Sequence, residues 1–363
     1  MANLLLNARF LMRAPTGVDR TATELIHALL NEGIPSGFEG VRALRPAGKI
    51  AARETRPQAL LDITDASTSR YSGQIWEQTT LARARRDEYL LSLCNIGPVL
   101  RKRQVVMIHD AQAFRQPESY STAFRIWYQN LQPRIAQKAA MVLTVSEFAR
   151  RDLEAFGVVP AGKARVIHNG ADHILRITPD PQTLARHGLT SRRYFLALGS
   201  LAPHKNLPML VRAARMRKDK SVPLVIAGGG NARVFGDNGI EPSDDVRVLG
   251  RVSDAELRSL YNNATALVFP SQTEGFGLPP AEAMFCNCPV IASTGGAIPE
   301  VVGDAAVSLD PKDIEGWRDA MTQLADDKEL RQSLSLAGQD QIAPFTWQSA
   351  ARKLANCLKD LPT

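Results

Sequence analysis

Two glutamates, Glu274 and Glu282, are separated by seven residues in the run Ser271-Gln-Thr-Glu-Gly-Phe-Gly-Leu-Pro-Pro-Ala-Glu-Ala-Met284. Ionised carboxylates only accept hydrogen bonds, so the pair suits hydroxyl donors such as those of a ribose or a hexose. Gly275 and Gly277 let the intervening backbone approach a ligand closely. Pro279 and Pro280 fit the first turn of a helix, where a missing N–H costs nothing. That reading places Glu282 in the first turn and Glu274 in the loop before it, at a helix N-terminus suited to phosphate. A glycosidase acid–base pair fits poorly, since such carboxyls stand about 5–5.5 Å or about 6.5–9.5 Å apart and a loop–helix junction intervenes here. A loop capping a helix with one dipole-favoured Glu accounts for the same residues without a ligand.

Other positions could contribute. Lys205, in Leu198-Gly-Ser-Leu-Ala-Pro-His-Lys-Asn206, follows a predicted strand and opens a helix. It can meet a diphosphate as a point charge, or be an ordinary first-turn lysine. His109 and Asp110 close the apolar run Val105-Val-Met-Ile108. A histidine there can hydrogen-bond a sugar hydroxyl or a backbone carbonyl. Asp110 can orient it, meet an acceptor, or simply form a turn. Ser253 with Glu256 spells a capping box. Asn169-Gly170 is a turn by its own chemistry, and His168 beside it reads as structural.

These residues need a frame that brings strand ends together. Short apolar runs alternate with helical patterns, which predicts parallel sheets covered by helices. Strands are predicted at 4–7, 89–93, 105–108, 141–144 and 165–167, then at 194–198, 224–227, 246–249, 264–269, 290–292 and 306–309. Helices are predicted at 18–31, 120–138, 147–156, 206–217, 254–262, 279–285, 313–325 and 328–341, with a last one from Thr346-Trp347 to Leu358. Residues 37–80 carry too little periodicity to assign. Thr178-Pro-Asp-Pro181 reads as a linker.

The 363 residues suffice for two cored domains. Hydrophobic residues make up 44% and charged ones 22%, as in globular proteins, and no apolar run reaches the length of a membrane span. The N-terminal apolar stretch is too short for a secretion signal and reads as a buried strand. Cys94, Cys286, Cys288 and Cys357 suit neither a disulfide frame nor a zinc site, which points to a reducing, cytoplasmic compartment. Residues 1–180 hold 24 Lys and Arg against 17 Asp and Glu, whereas the rest is balanced at 20 against 20. A basic N-terminal half suits an anionic surface such as the inner face of the cytoplasmic membrane, and reversing the surface charges expected at Arg101, Lys102 and Arg103 would then weaken liposome binding. Nucleic acid is disfavoured, because no basic–aromatic recognition motif accompanies the charge.

The Glu274-x7-Glu282 run resembles the signature of family 4 retaining glycosyltransferases, and so does its continuation, Cys288-Pro-Val-Ile-Ala-Ser-Thr-Gly-Gly-Ala-Ile-Pro-Glu300. The Val145-Ser-Glu-Phe148 and Val166-Ile-His-Asn-Gly-Ala-Asp172 runs are also similar to family landmarks. The resemblance implies an α/β fold of the GT-B type, two Rossmann-like doubly wound domains facing across a cleft. Residues 1–178 would form the acceptor domain, with 346–363 packing back on it, and 185–345 the nucleotide-sugar donor domain.

It implies Glu282 on the donor ribose, Glu274 near the transferred sugar, and backbone of Gly275, Phe276, Gly277 and Leu278 on sugar hydroxyls and phosphate. His109 would contact the sugar near the reaction centre, Gly17 would bring the backbone of an N-terminal glycine loop against the donor phosphates or the acceptor, and Arg251 and Val252 would read the nucleobase. The family often carries an arginine where Ser200 stands, so diphosphate neutralisation would rest on Lys205 with His204 or backbone amides. The implied reaction is front-face transfer of a hexose with retention. It would need no metal, since no Asp-x-Asp motif is present, and no cofactor. The sequence style of 199–206 and 275–280 is similar to polysaccharide mannosyltransferases, which makes GDP-mannose the first donor and a glycan or lipid-linked glycan the acceptor. A sugar-nucleotide epimerase, a phosphorylase or a non-catalytic binding protein of the same fold are the rival readings. Glu274→Ala would then remove transfer and leave nucleotide binding largely intact.

Overall fold

A computed structural model describes residues 2–229 and 242–362. The chain forms two compact units, residues 1–170 with 346–363, and residues 171–345. In unit 1, β1 (Ala2–Asn7), β2 (Phe38–Arg45), β3 (Thr64–Ala66), β4 (Tyr89–Ser92), β5 (Gln104–Met107), β6 (Met141–Thr144) and β7 (Ala164–Val166) form one parallel sheet. Its order is β3-β2-β1-β4-β5-β6-β7. In unit 2, β8 (Phe195–Leu198), β9 (Leu224–Ala227), β10 (Val246–Gly250), β11 (Ala266–Phe269), β12 (Val290–Ser293) and β13 (Val307–Leu309) pair in the order β10-β9-β8-β11-β12-β13. Both sheets reverse direction once, between β1 and β4 and between β8 and β11. Ligands of open α/β sheets settle at the carboxyl ends of the strands flanking such a reversal.

Every residue of β4, β5, β6, β9, β11 and β12 is buried, as expected of parallel strands covered on both faces. The core of unit 2 gathers Phe195, Leu210, Ile226, Val268, Ile291, Trp317 and Met321. Complete burial of each such side chain stabilises by about 1.5–3 kcal/mol. In unit 1 the helix Gly17–Glu32 buries Ala22, Leu25, Ile26 and Leu29, one helical stripe. The final helix, Trp347–Lys359, lies against it through its own stripe of Trp347, Ala350, Ala351, Leu354 and Leu358. Gly170 makes this return feasible, because a Cβ there would stand 2.1 Å from the Trp347 amide nitrogen.

Strand and helix positions agree with the sequence periodicity to within a residue or two. Residues 37–80 contain β2 and β3 at the sheet edge, where β2 is mostly half-buried and β3 has three residues; neither shows a clean alternation. The segment Thr178–Pro181 is not where the chain passes between units. That passage falls at Gly170–Ala171, and Asp180 is held within unit 2 by its N–H to Ala255 O and by Arg186.

Candidate active site

The loops following β8 and β11 meet at the reversal of the six-stranded sheet. After β8, a tight turn at Pro203–Lys205 ends on Asn206, whose left-handed backbone (φ 57°) launches the helix Leu207–Met216. Asparagine tolerates that conformation, and its side-chain amide donates to Pro270 O and Pro311 O. The Gln272 N–H donates to His204 O at 2.7 Å. These bonds stitch the two loops together and bring Lys205 Nζ to 2.6 Å from Glu274 Oε1, with both side chains largely buried. His204 Nδ1 and Ser271 Oγ lie buried beside this pair without a hydrogen-bond partner among the described residues. Buried polar atoms seldom stay unpaired, so unsatisfied ones mark places a water or ligand completes. Burial, reinforced by the Lys205 charge, lowers the His204 pKa and keeps its ring neutral. Ser200 is exposed and its Oγ accepts the Ala202 N–H at 3.4 Å.

Beyond Glu274 the loop runs through Gly275 and the buried Phe276, whose ring lies 6.0 Å from that of Phe345. Gly277 (φ 106°) then caps the helix Leu278–Phe285. Its left-handed backbone starts the helix one residue earlier than expected, which puts Glu282 in the second turn instead of the first. Pro279 and Pro280 also remove two N–H groups from that first turn, and Ala281 N–H already donates to Gly277 O. The helix start therefore offers a phosphate less than its position suggests. Glu282 is instead 6% exposed, with Tyr261 Oη donating to one carboxylate oxygen at 3.0 Å and His173 Nε2 at 3.2 Å from the other.

The loop after β12 lies against the Glu274 loop. A Cβ on Gly296 (φ 65°) would stand 2.4 Å from the Glu274 amide nitrogen, and one on Gly295 would stand 2.4 Å from Gln272 O. Ala297 N–H donates to Glu274 O, and Ser293 Oγ donates to Ser271 O. After β10, Arg251 is exposed and Val252 half-buried, and Ser253 and Glu256 form the expected capping box. The Ser253 N–H, its hydroxyl and Arg186 hold the Glu256 carboxyl down at about 2.

In unit 1, His109 follows β5 and is buried, with Nε2 2.8 Å from Leu93 O. A carbonyl only accepts, so Nε2 carries the proton and Nδ1 the lone pair. Burial lowers its pKa and keeps the ring neutral. Its N–H donates to Asn95 Oδ1, and Asp110 Oδ1 accepts from Gln112 N–H in a turn. Gly17 begins its helix beside a capping box in which Thr16 pairs with the fully buried Asp19, itself clasped by Arg13. The same end of the sheet carries a second buried carboxylate, Glu77, bound to Asn7 and Arg9, and its pKa is raised by burial. Asp19 was legible only as a capping-box partner of Thr16, and Glu77, Tyr261 and His173 belong to no motif. Their one available signal was a charged or polar residue inside an otherwise apolar stripe.

The basic face differs from expectation at Arg101. Its guanidinium is buried and donates to the carbonyls of Leu81, Ala84, Arg85 and Glu88, so it is a structural clasp. Around it, a cavity of 340 Å³ is rimmed by Arg83, Arg86, Lys102 and Arg103, beside Leu100, which is 78% exposed. A concavity of 480 Å³ in unit 2 is lined by Arg192, Arg193, Lys328 and Arg331, before the first residues of β8 and β12. It thus lies at the opposite edge of the sheet from the Lys205–Glu274 loops.

Two parallel α/β units, each with one reversal of strand order, are the fold of the GT-B type. Residues 181–341 match the family described as glycosyl transferases group 1, and residues 88–174 match glycosyltransferase family 4. Over 273 residues the chain is 31% identical to O-antigen chain mannosyltransferase B of Escherichia coli, covering 71% of this chain and 70% of that one. It is 30% identical to the O-antigen chain mannosyltransferase RfbU of Salmonella typhimurium over 62% of each chain. It is also 30% identical to the MMP alpha-(1->4)-mannosyltransferase of Mycolicibacterium hassiacum, covering 61% of that protein. Among solved structures, HepE of Anabaena, determined with UDP and glucose, superposes with a TM-score of 0.76 at 18% identity over 99% of this chain and 100% of its own. Sucrose-phosphate synthase of Thermosynechococcus elongatus does so with 0.73 at 17% over 99% of each. The chain belongs to the family 4, group 1 glycosyltransferases.

Proposed function

We propose that the protein transfers mannose from GDP-mannose, with retention, to a saccharide or lipid-linked saccharide acceptor in the synthesis of a cell-surface polysaccharide. The observation that carries this reading is the Lys205–Glu274 pair at the sheet reversal, flanked by the unsatisfied His204 Nδ1 and Ser271 Oγ. The choice of sugar rests on the three relatives named as mannosyltransferases. In this reading Lys205 takes the diphosphate, with neutral His204 and the 275–278 backbone adding hydrogen bonds. It stabilises the charge that builds on the leaving group, the largest electrostatic demand of the reaction. Glu274 takes hydroxyls of the transferred sugar, Glu282 the ribose, and Arg251 and Val252 the base. His109 contributes its Nδ1 lone pair to the sugar, with Gly17 on the donor and Asp110 on the acceptor side. Metal independence belongs to the same proposal.

Thermal stabilisation by GDP, UDP and dTDP, each alone and as its sugar conjugate, tests the donor. GDP alone should raise the midpoint, and GDP-mannose with a mannosylated acceptor should yield product. Selective response to UDP, the nucleotide found with HepE, would reassign the base. Silence with all three would refute the donor site. Peripheral membrane association through the Arg83, Arg86, Lys102 and Arg103 rim and Leu100 is part of the reading, argued from charge and exposed apolar surface. Among the described residues no helix is long and apolar enough to cross a membrane.

A further inference from the structure

Three elements of unit 2 converge on one buried carboxylate. Glu282 comes from the helix Leu278–Phe285, Tyr261 from the helix Asp254–Asn263, and His173 from the turn Asp172–Arg176. Tyr261 is fully buried and His173 is 2% exposed, so bulk water cannot take the place of either partner. The Tyr261 hydroxyl donates to Glu282 Oε2 at 3.0 Å, and the buried His173 Nε2 stands 3.2 Å from Oε1, in contact but without hydrogen-bond geometry. Burial and the Glu282 charge push the Tyr261 phenol pKa up, which keeps it a donor. A carboxylate offers about four lone-pair sites, and one contact on each oxygen leaves one site on each for a ligand. Two remaining acceptors on one rigid planar group match a vicinal diol.

We propose that Tyr261 and His173 are positioning residues for nucleotide recognition: Tyr261 fixes one oxygen of Glu282 by its hydrogen bond and His173 packs against the other, so that the remaining lone pairs select a ribose diol over deoxyribose. The proposal rests on Glu282 meeting the donor ribose, and it assigns the selectivity to the clamp as well as to the glutamate. A glutamate with free rotamers would lose side-chain entropy on binding and grip the diol less well. Removing a clamp should therefore lower ribose selectivity more than it lowers nucleotide binding through base and phosphate.

The test is calorimetric affinity for GDP or UDP, whichever binds, against its dideoxyribose analogue. The unaltered protein should prefer the ribonucleotide by about tenfold or more, as hydrogen bonds to a charged group would give. Glu282→Gln should largely abolish that preference. Tyr261→Phe and His173→Gln should each reduce it to about threefold or less, while affinity for the dideoxy form stays within about twofold of the unaltered protein. Tyr261→Phe added to Glu282→Gln should change the ratio no further. A merely structural tyrosine would weaken both ligands together. Full preference retained in both clamp variants, with Glu282→Gln having lost it, overturns the proposal alone. Absence of binding, or no preference in the unaltered protein, overturns the ribose reading beneath it. Thermal midpoints of the variants identify unfolding, and His173→Gln carries the test if Tyr261→Phe fails to fold.

Discussion

Replacing Glu274 by Gln separates two things that the Lys205–Glu274 contact joins. Lys205 Nζ is engaged at 2.6 Å by the Glu274 carboxylate, and the two side chains are 23% and 16% exposed. A diphosphate arriving at Lys205 must compete with that carboxylate, and Ser200 offers no second cation to share the charge. A partly screened ion pair contributes about 1 kcal/mol at the upper end of the surface range. Removing the competing charge while keeping the shape should tighten nucleoside diphosphate binding by about fivefold, whereas sugar transfer should be lost. The expectation from sequence alone was that nucleotide binding would not change. The ion pair changes that expectation to tighter binding. Calorimetry with GDP or UDP provides the assay, run at about 0.1 M and about 1 M salt, since screening should shrink the difference at the higher value. Lys205→Met in parallel should weaken binding by about 2 kcal/mol, or about thirtyfold. Unchanged or weaker binding by the Glu274→Gln protein would refute the competition, and unchanged binding by Lys205→Met would remove Lys205 from the diphosphate.

Gly296→Ala places a Cβ 2.4 Å from the Glu274 amide and forces a left-handed residue, so it should cost about 1–2 kcal/mol in thermal stability and reduce transfer more than nucleotide binding. Arg101→Ala takes a donor from five carbonyls, that of Arg103 included, and should destabilise unit 1 by about 3 kcal/mol in urea unfolding. Lys102→Glu with Arg83→Glu leaves that clasp in place and should weaken binding to anionic liposomes; unchanged binding would remove the rim from any membrane contact. Glu256 is held at about 2 in the folded chain against an ordinary 4.5, so its contribution is complete above 4.5 and disappears as pH falls toward 2. Glu256→Gln should lose about 1 kcal/mol at neutral pH and flatten the acid limb of a stability–pH curve across that window.

The signals legible in the sequence were local ones. The wholly apolar runs that became β5, β6 and β9 announce themselves because a parallel strand is buried on both faces. The stripe in Trp347–Lys359 shows at 3.6-residue spacing for the same reason, and Ser253 with Glu256 is a cap whose donors and acceptors lie three residues apart. The edge strand β3 and its neighbour β2 were hidden because half-exposed strands need no strict alternation.

Local pattern was enough to read a two-domain α/β chain with its candidate site residues in loops after buried strands, because burial patterns, prolines and glycines act within a few residues of themselves. Tertiary structure alone decided who meets whom. Lys205 reaches Glu274 across 69 positions, and Tyr261 reaches Glu282 across 21. It also turned Arg101 from a surface charge into a buried clasp and moved Glu282 into the second turn of its helix. Those contacts depend on strand order at a sheet reversal and on a single left-handed glycine, neither of which leaves a periodic trace in the sequence.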